Sequence, residues 1–211
     1  MANTFSRNIR LFADKALSDK ALSGYLSKIA IEQRNALVRS GESPSNWITY
    51  VDGVKGAPEY SVNPDGVILY HFNALPEATI QAVTLAMQRS PVRSGRYRRA
   101  WLVVVNGKVW LSDLSAIPPG SEVMVLNPEP YARKIDTGGM KTSVPPGIVE
   151  YVRQRILRRF PTLTVERAFV NIPPGMLPGA PWILRRSKGH SKTRQAGQPI
   201  TYPALILTEK E

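Results

Sequence analysis

Through the first forty residues apolar side chains recur at three- and four-residue spacing. Ile9, Phe12, Ala13, Ala16 and Leu17 form one run, and Leu22, Leu26, Ile29, Ala30, Ala36 and Leu37 form a second. That period lines one face of a helix, and Gly41 ends it. Ser23-Gly24 predicts a break between two helices. From Trp47 to Phe72 the period shortens. "WITYVDG" and "GVILYHF" are short β-branched and aromatic runs bounded by Gly, Pro and Asp, as strands are.

Residues 75–89, "LPEATIQAVTLAMQR", return to the helical period, with Ile80, Val83, Leu85 and Met87 as apolar surface. Pro76 fits the first turn, Glu77 complements the N-terminal dipole, and Pro91 stops the helix. "RRAWLVVVNGKVWLSDL" then predicts a hairpin about Asn106-Gly107, a type I′ signal, with its first strand starting near Tyr97 or Arg98. Alternation would lay Trp101, Val103 and Val105 on one sheet face. "EVMVLNP", "LTVERAFVNI" and "TYPALILTE" read as further strands. Residues 146–160 read as a helix with Ile148, Val149, Val152, Ile156 and Leu157 inward. Its arginines 153, 155, 158 and 159 face outward.

Strands that meet in hairpins, not in alternation with helices, predict an α+β fold. We expect a mostly antiparallel β-sheet packed against a few helices, with an N-terminal helical extension and a long C-terminal basic loop. The boundaries are 1–45 for the extension, 46–172 for the core, 173–198 for the Gly/Pro/basic loop and 199–211 for the core's closing strand. A loop that long inside a compact domain is functional or disordered as a rule.

Charge changes the picture. The 28 Lys+Arg against 16 Asp+Glu give +12, and the excess is regional. Residues 1–139 hold 16 basic and 12 acidic side chains, whereas 140–199 hold 11 basic against Glu150 and Glu166 alone. Such a region attracts polyanions or an acidic protein face. The absence of cysteine removes disulfides, thiolate metal sites and cysteine nucleophiles, and fits a reducing compartment. The N-terminus has no apolar h-region and no stretch approaches the ~20 apolar residues of a membrane span, so we expect no membrane association.

Enzyme signatures are sparse. His71 sits in a strand, read as half-buried, and His190 in a basic loop, with no acidic partner at a useful spacing. Asp113, Glu129 and Asp136 are the only acids that suggest an acid–base pair, and nothing in the sequence joins them. "PPG" at 118–120, 145–147 and 173–175 is turn chemistry, and no phosphate-binding glycine loop is present. We expect no catalytic site, no cofactor and no metal.

The arginine clusters admit three readings. They are phosphate grips, protein contacts, or a solvated face. The candidates are Arg93, Arg96, Arg98, Arg99, Arg133, Arg153, Arg158 and Arg159, and, in the loop, Arg185, Arg186, Lys188, Lys192 and Arg194. Tyr131 joins them as a contact candidate. "RRSKGHSKTR" carries no interleaved aromatic, so base stacking has no support there.

Two segments bear a resemblance. "SPVRSGRYRRAW" after an apolar helix, and "LNPEPYARKIDTGG" further on, are similar to paired motifs of tailed-bacteriophage neck proteins, the tail-completion or head–tail connector family. Pro91, Val92, Ser94, Gly95, Trp101, Asn127, Tyr131, Ala132, Asp136 and Gly138 occupy the pattern, and "PITYPALIL" is like the closing strand of some members. Of these, Pro91, Gly95, Trp101, Asn127, Tyr131 and Gly138 are the fold-defining positions. Arg93 stands where an acid is common and Asp136 where Glu is common. The resemblance covers residues 75–140 well and the C-terminal strand loosely.

It implies a structural virion protein with no enzymatic role. Such proteins form sixfold or twelvefold homo-oligomeric rings at the head–tail interface. They join the portal or adaptor to the tail terminator or tube, with DNA passing without sequence specificity through the lumen. Assembly would take place in the bacterial host cytoplasm. On this reading loop 173–198 orders on assembly. The alternative from the charge alone is a sequence-independent nucleic-acid-binding protein.

Overall fold

The computed structural model describes residues 19–177, 179–187 and 195–210. The expected helical run Ile9–Leu17, His190, Lys188, Lys192 and Arg194 lie outside them. The chain divides into two compact units, 1–73 and 74–211.

In the first unit, helix α1 (Asp19–Ser40) runs unbroken through Ser23-Gly24, so the expected break is absent. Strands β1 (Trp47–Val51), β2 (Val54–Lys55) and β3 (Ile68–Phe72) form an antiparallel sheet of order β2-β1-β3. Asp52 and Gly53, with φ of 50° and 82°, make the two-residue turn between β1 and β2. The Asp52 carboxylate accepts Asn63 N (2.9 Å) and Val67 N (2.7 Å), which fixes the path back to β3. α1 meets this sheet through Arg34. Its guanidinium lies 4.5 Å from the Trp47 ring centroid and pairs with Glu59 at 2.5 Å. The 22-residue helix is about 33 Å long, and three short strands cannot cover it. Leu22, Leu26 and Ala30 are accordingly half-buried and Leu37 exposed. Because β1–β3 pair only with one another, they group with the N-terminal helix and not with the larger sheet. The observed division therefore falls at residue 73, not at 45. His71 is exposed on β3, not half-buried.

The second unit opens with α2 (Leu75–Arg89). Its inward face is Leu75, Ala78, Thr79, Ala82 and Ala86, while Ile80 is exposed, contrary to the expected apolar surface. The small side chains allow close approach to α5 (Ile148–Arg159), whose Val149, Val152 and Ile156 are buried as expected. A five-stranded antiparallel sheet has order β5-β4-β6-β8-β7. Its strands are β4 (Leu102–Val105), β5 (Lys108–Val109), β6 (Val123–Leu126), β7 (Leu163–Val170) and β8 (Tyr202–Glu209). Asn106 and Gly107 turn β4 into β5 with positive φ at both residues, the type I′ turn expected.

Alternation sends Val103, Val105, Val123, Val125, Leu205 and Leu207 to the helices and Val104, Leu126, Tyr202 and Ala204 to the opposite face. That second face is covered by Ile172, Met176, Leu177 and Ala180. The arms of the expected loop 173–198 are therefore structured. Ile183 bridges Pro199, and Ile200 N donates to Trp182 O at 2.8 Å. The architecture is the α+β arrangement expected, with the helices on one side of an antiparallel sheet. Among the described residues no helix is long and apolar enough to cross a membrane.

Candidate functional site

The two motif segments, separated by a whole hairpin in sequence, fold onto one another. Gly95 adopts φ +74° and reverses the chain after α2. A single helical turn, α3 (Arg96–Arg99), follows and closes with Arg99 N donating to Gly95 O at 3.1 Å. The strand expected from Tyr97 or Arg98 thus begins only at Leu102. A strand would carry Tyr97 and Arg99 on one face. The helical turn separates them, with Tyr97 buried and Arg99 exposed.

Tyr97 is the pivot. Its carbonyl accepts Asn127 Nδ2 at 2.7 Å, and the Asn127 Oδ1 accepts Glu129 N at 3.2 Å. Asn127 thereby ties one segment to the other and shapes its own turn. The Tyr97 ring meets Trp101 edge-on at 6.0 Å and lies 6.0 Å from Tyr131. Trp101 Nε1 donates to Ser90 Oγ (2.8 Å), which in turn donates to Ala86 O (2.6 Å). The end of α2 is thus tied to the start of the sheet. Tyr97, Ala132, Ile135 and Ile148 form a small core of their own.

The acids that the sequence left unjoined have separate structural partners. Glu129 pairs with Arg96 at 2.7 Å, and Asp113 Oδ1 accepts Ser115 N at 2.9 Å. Asp136 ends α4 (Ala132–Asp136), with its side chain fully buried. Its Oδ2 accepts Arg167 Nη2 at 2.6 Å, its Oδ1 accepts Val149 N at 2.9 Å, and its carbonyl accepts Gly147 N at 2.8 Å. One carboxylate therefore joins α4, the start of α5 and β7. Arg167 escaped the sequence reading. Its signal was a basic residue on the inward register of a strand whose Leu163 and Val165 face the core. Among the described residues no three His, Asp or Glu side chains cluster as a metal site.

The basic candidates divide by partner. Arg96 is spent on Glu129, Arg153 on Glu150 (2.8 Å) and Arg159 on Glu77 (2.8 Å). Arg133 donates to the Thr201 hydroxyl, and its guanidinium lies 4.2 Å from the Phe169 ring centroid. Arg99 makes one long contact, Nη2 to Ser94 O at 3.4 Å. Arg93, Arg158, Arg185 and Arg186 are exposed, Arg98 is half-buried, and none of the five makes an ion pair among the described residues.

Cavities border several of these residues, and two of them bear on the basic candidates outside helix α5. The larger, about 720 Å³, lies between the motif segments. Val92, Ile135 and Met140 give it apolar walls beside the Tyr97 and Tyr131 rings. Arg93 and Lys141 are its only charged residues. Burial pushes the Tyr97 phenol above its ordinary range, with the Asp136 charge adding to the shift, so the hydroxyl stays protonated. The smaller cavity, about 260 Å³, brings Arg133, Lys134 and Arg185 round Trp182, which is 44% exposed. The aromatic missing from "RRSKGHSKTR" is thus supplied just ahead of it.

Comparison of the chain with family models, with curated proteins and with solved structures finds no match.

Proposed function

We propose that this chain is a structural, non-enzymatic component of a tailed-phage neck. It would form a homo-oligomeric ring that joins the portal or adaptor to the tail terminator or tube, with DNA passing through the lumen. The observation that supports this reading is the mutual packing of segments 91–101 and 127–138. Of the positions that carry the resemblance, Gly95 makes the turn, Trp101 donates its side-chain hydrogen bond to Ser90 Oγ and Asn127 donates its own to the Tyr97 carbonyl. A pattern tied to such roles belongs to a shared scaffold, and a scaffold leaves its surface arginines for contacts. Closed rings use two different faces of each subunit, and Arg93, Arg98 and Arg158, which make no ion pair among the described residues, are available for such a contact. Native mass spectrometry and negative-stain imaging of the purified protein, alone and with portal and tail-tube proteins, test the reading. Sixfold or twelvefold rings are expected; a monomer under every one of these conditions refutes it.

A second reading, sequence-independent nucleic-acid binding, has one observation in its favour: the exposed Trp182 ring beside Lys134 and Arg185. Stacking on such a ring is worth about 1–3 kcal/mol per base. Strong binding of random DNA by the free monomer at physiological salt, weakened by Trp182→Ala and by added salt, would favour it over the neck reading.

A further inference from the structure

The larger cavity of the second unit is a built site with no occupant among the described residues. Its walls are mainly apolar and aromatic, with Ser94, Thr142 and Ser143 among them; of the described residues that line it, the two charged ones are both positive and none is an acid. Arg93 and Lys141 are exposed and make no ion pair among the described residues. An apolar hollow with two cations at its edge is complementary to a carboxylate carried on an apolar body.

The shape of the mouth narrows the class. A site for a free small molecule buries most of its ligand. Here Val92 is 61% and Met140 38% exposed at the edge, so the cavity opens broadly. Side chains reaching in from a backbone that runs along the outside suit that form better than a ligand enclosed whole. The volume of about 720 Å³ accommodates more than one large side chain. We propose that this cavity receives an acidic segment of a partner polypeptide. An aromatic or aliphatic side chain would enter the hollow, and a neighbouring carboxylate would pair with Arg93 and Lys141. The cavity is complete within one chain, so the proposal does not require ring formation, although it draws on the same Arg93 that the ring reading offers to a neighbouring subunit.

The test titrates N-acetyl-Asp-Phe-Glu-Leu-amide into the full-length protein, following the Met140 methyl signal by NMR and the heat of binding by calorimetry. Its uncharged counterpart, N-acetyl-Asn-Phe-Gln-Leu-amide, and free 3-phenylpropanoate are the controls. The acidic peptide should shift Met140 and bind about tenfold or more tightly than the amide form, as charge-assisted hydrogen bonds require. Arg93→Gln with Lys141→Gln should weaken it about tenfold and flatten its salt dependence. Equal affinity of the acidic and amide peptides, or an unmoved Met140 signal, overturns the proposal. So does indifference to the Arg93 and Lys141 replacements. Binding of 3-phenylpropanoate without binding of the peptide refutes the polypeptide occupant and marks a small-acid site.

Discussion

Asp136 offers the sharpest test of how the second unit is held together. Its carboxylate is fully buried, and its partner Arg167 is 28% exposed, with an Nε that is buried and unpartnered. In Asp136→Asn the amide oxygen can still accept Val149 N, but the NH2 group confronts the guanidinium with a donor where it needs an acceptor. Removing one partner of a buried pair costs about 3–5 kcal/mol. Solvent reaches about a quarter of Arg167, so the cost falls at or just below the bottom of that range, about 2–3 kcal/mol. For a chain of this size each kcal/mol moves Tm by about 2–4 °C, so the unfolding transition of the second unit should fall by about 4–12 °C. Asp136→Ala also strips the acceptor from the first turn of α5, adding about 1 kcal/mol. Urea unfolding of Asp136→Asn, Arg167→Met and the double variant completes a cycle. The double variant, left with no unpaired buried charge, should recover part of the loss, giving a coupling of about 1–3 kcal/mol. A coupling below about 0.5 kcal/mol, or an Asn variant as stable as the parent, would show that the pair does not join α4 to β7 energetically.

Three further predictions follow from local geometry. At Gly95, φ is +74° and an added Cβ would come within 2.4 Å of Arg99 Nη1, a movable group; the lasting cost of Gly95→Ala is therefore backbone strain, about 1–2 kcal/mol by urea midpoint. Gly95→Asn should lose less, and Arg99→Ala should not rescue the alanine variant. Glu150 is held at about 2, against an ordinary 4.5, chiefly by the hydrogen bonds from Arg153. Being depressed, it adds stability above about pH 4.5 that is lost as pH falls toward 2, a small amount because both side chains are about a third exposed. A carboxyl NMR titration should place its midpoint near 2 and Arg153→Gln should raise it; an unmoved midpoint would remove Arg153 as the cause. Arg93→Asp places an acid at an exposed turn and should change monomer stability by less than about 0.5 kcal/mol, while ring assembly, if the proposed neck role holds, should weaken. Unimpaired assembly would take Arg93 out of the interface.

Local signals were legible where a residue dictates its own backbone. Asn106-Gly107 fixed a hairpin because both positions accept positive φ. The alternation of Val103, Val104 and Val105 assigned the two sheet faces, and Val149, Val152 and Ile156 the inward side of a helix. These features depend on neighbours only a few residues away. The sequence therefore determined the α+β class, the antiparallel sheet and the surplus of cations in the C-terminal third.

What it left open depended on partners far along the chain. Hydrophobicity alone favoured Ile80 as core, yet α2 approaches α5 through alanines, because close helix packing rewards small side chains. The arginines of "SPVRSGRYRRAW" look alike in sequence, but only the fold brings Glu129 to Arg96 and leaves Arg93 without an ion pair among the described residues. The strand expected to begin near Tyr97 or Arg98 gave way where one left-handed glycine, Gly95, turned the segment into helix and buried the tyrosine. Trp182 joined Lys134 and Arg185 round a cavity through pairing of the loop's arms with residues 198–200. In each case tertiary structure decided, because ion pairing and burial depend on distances in space that no spacing along the chain encodes.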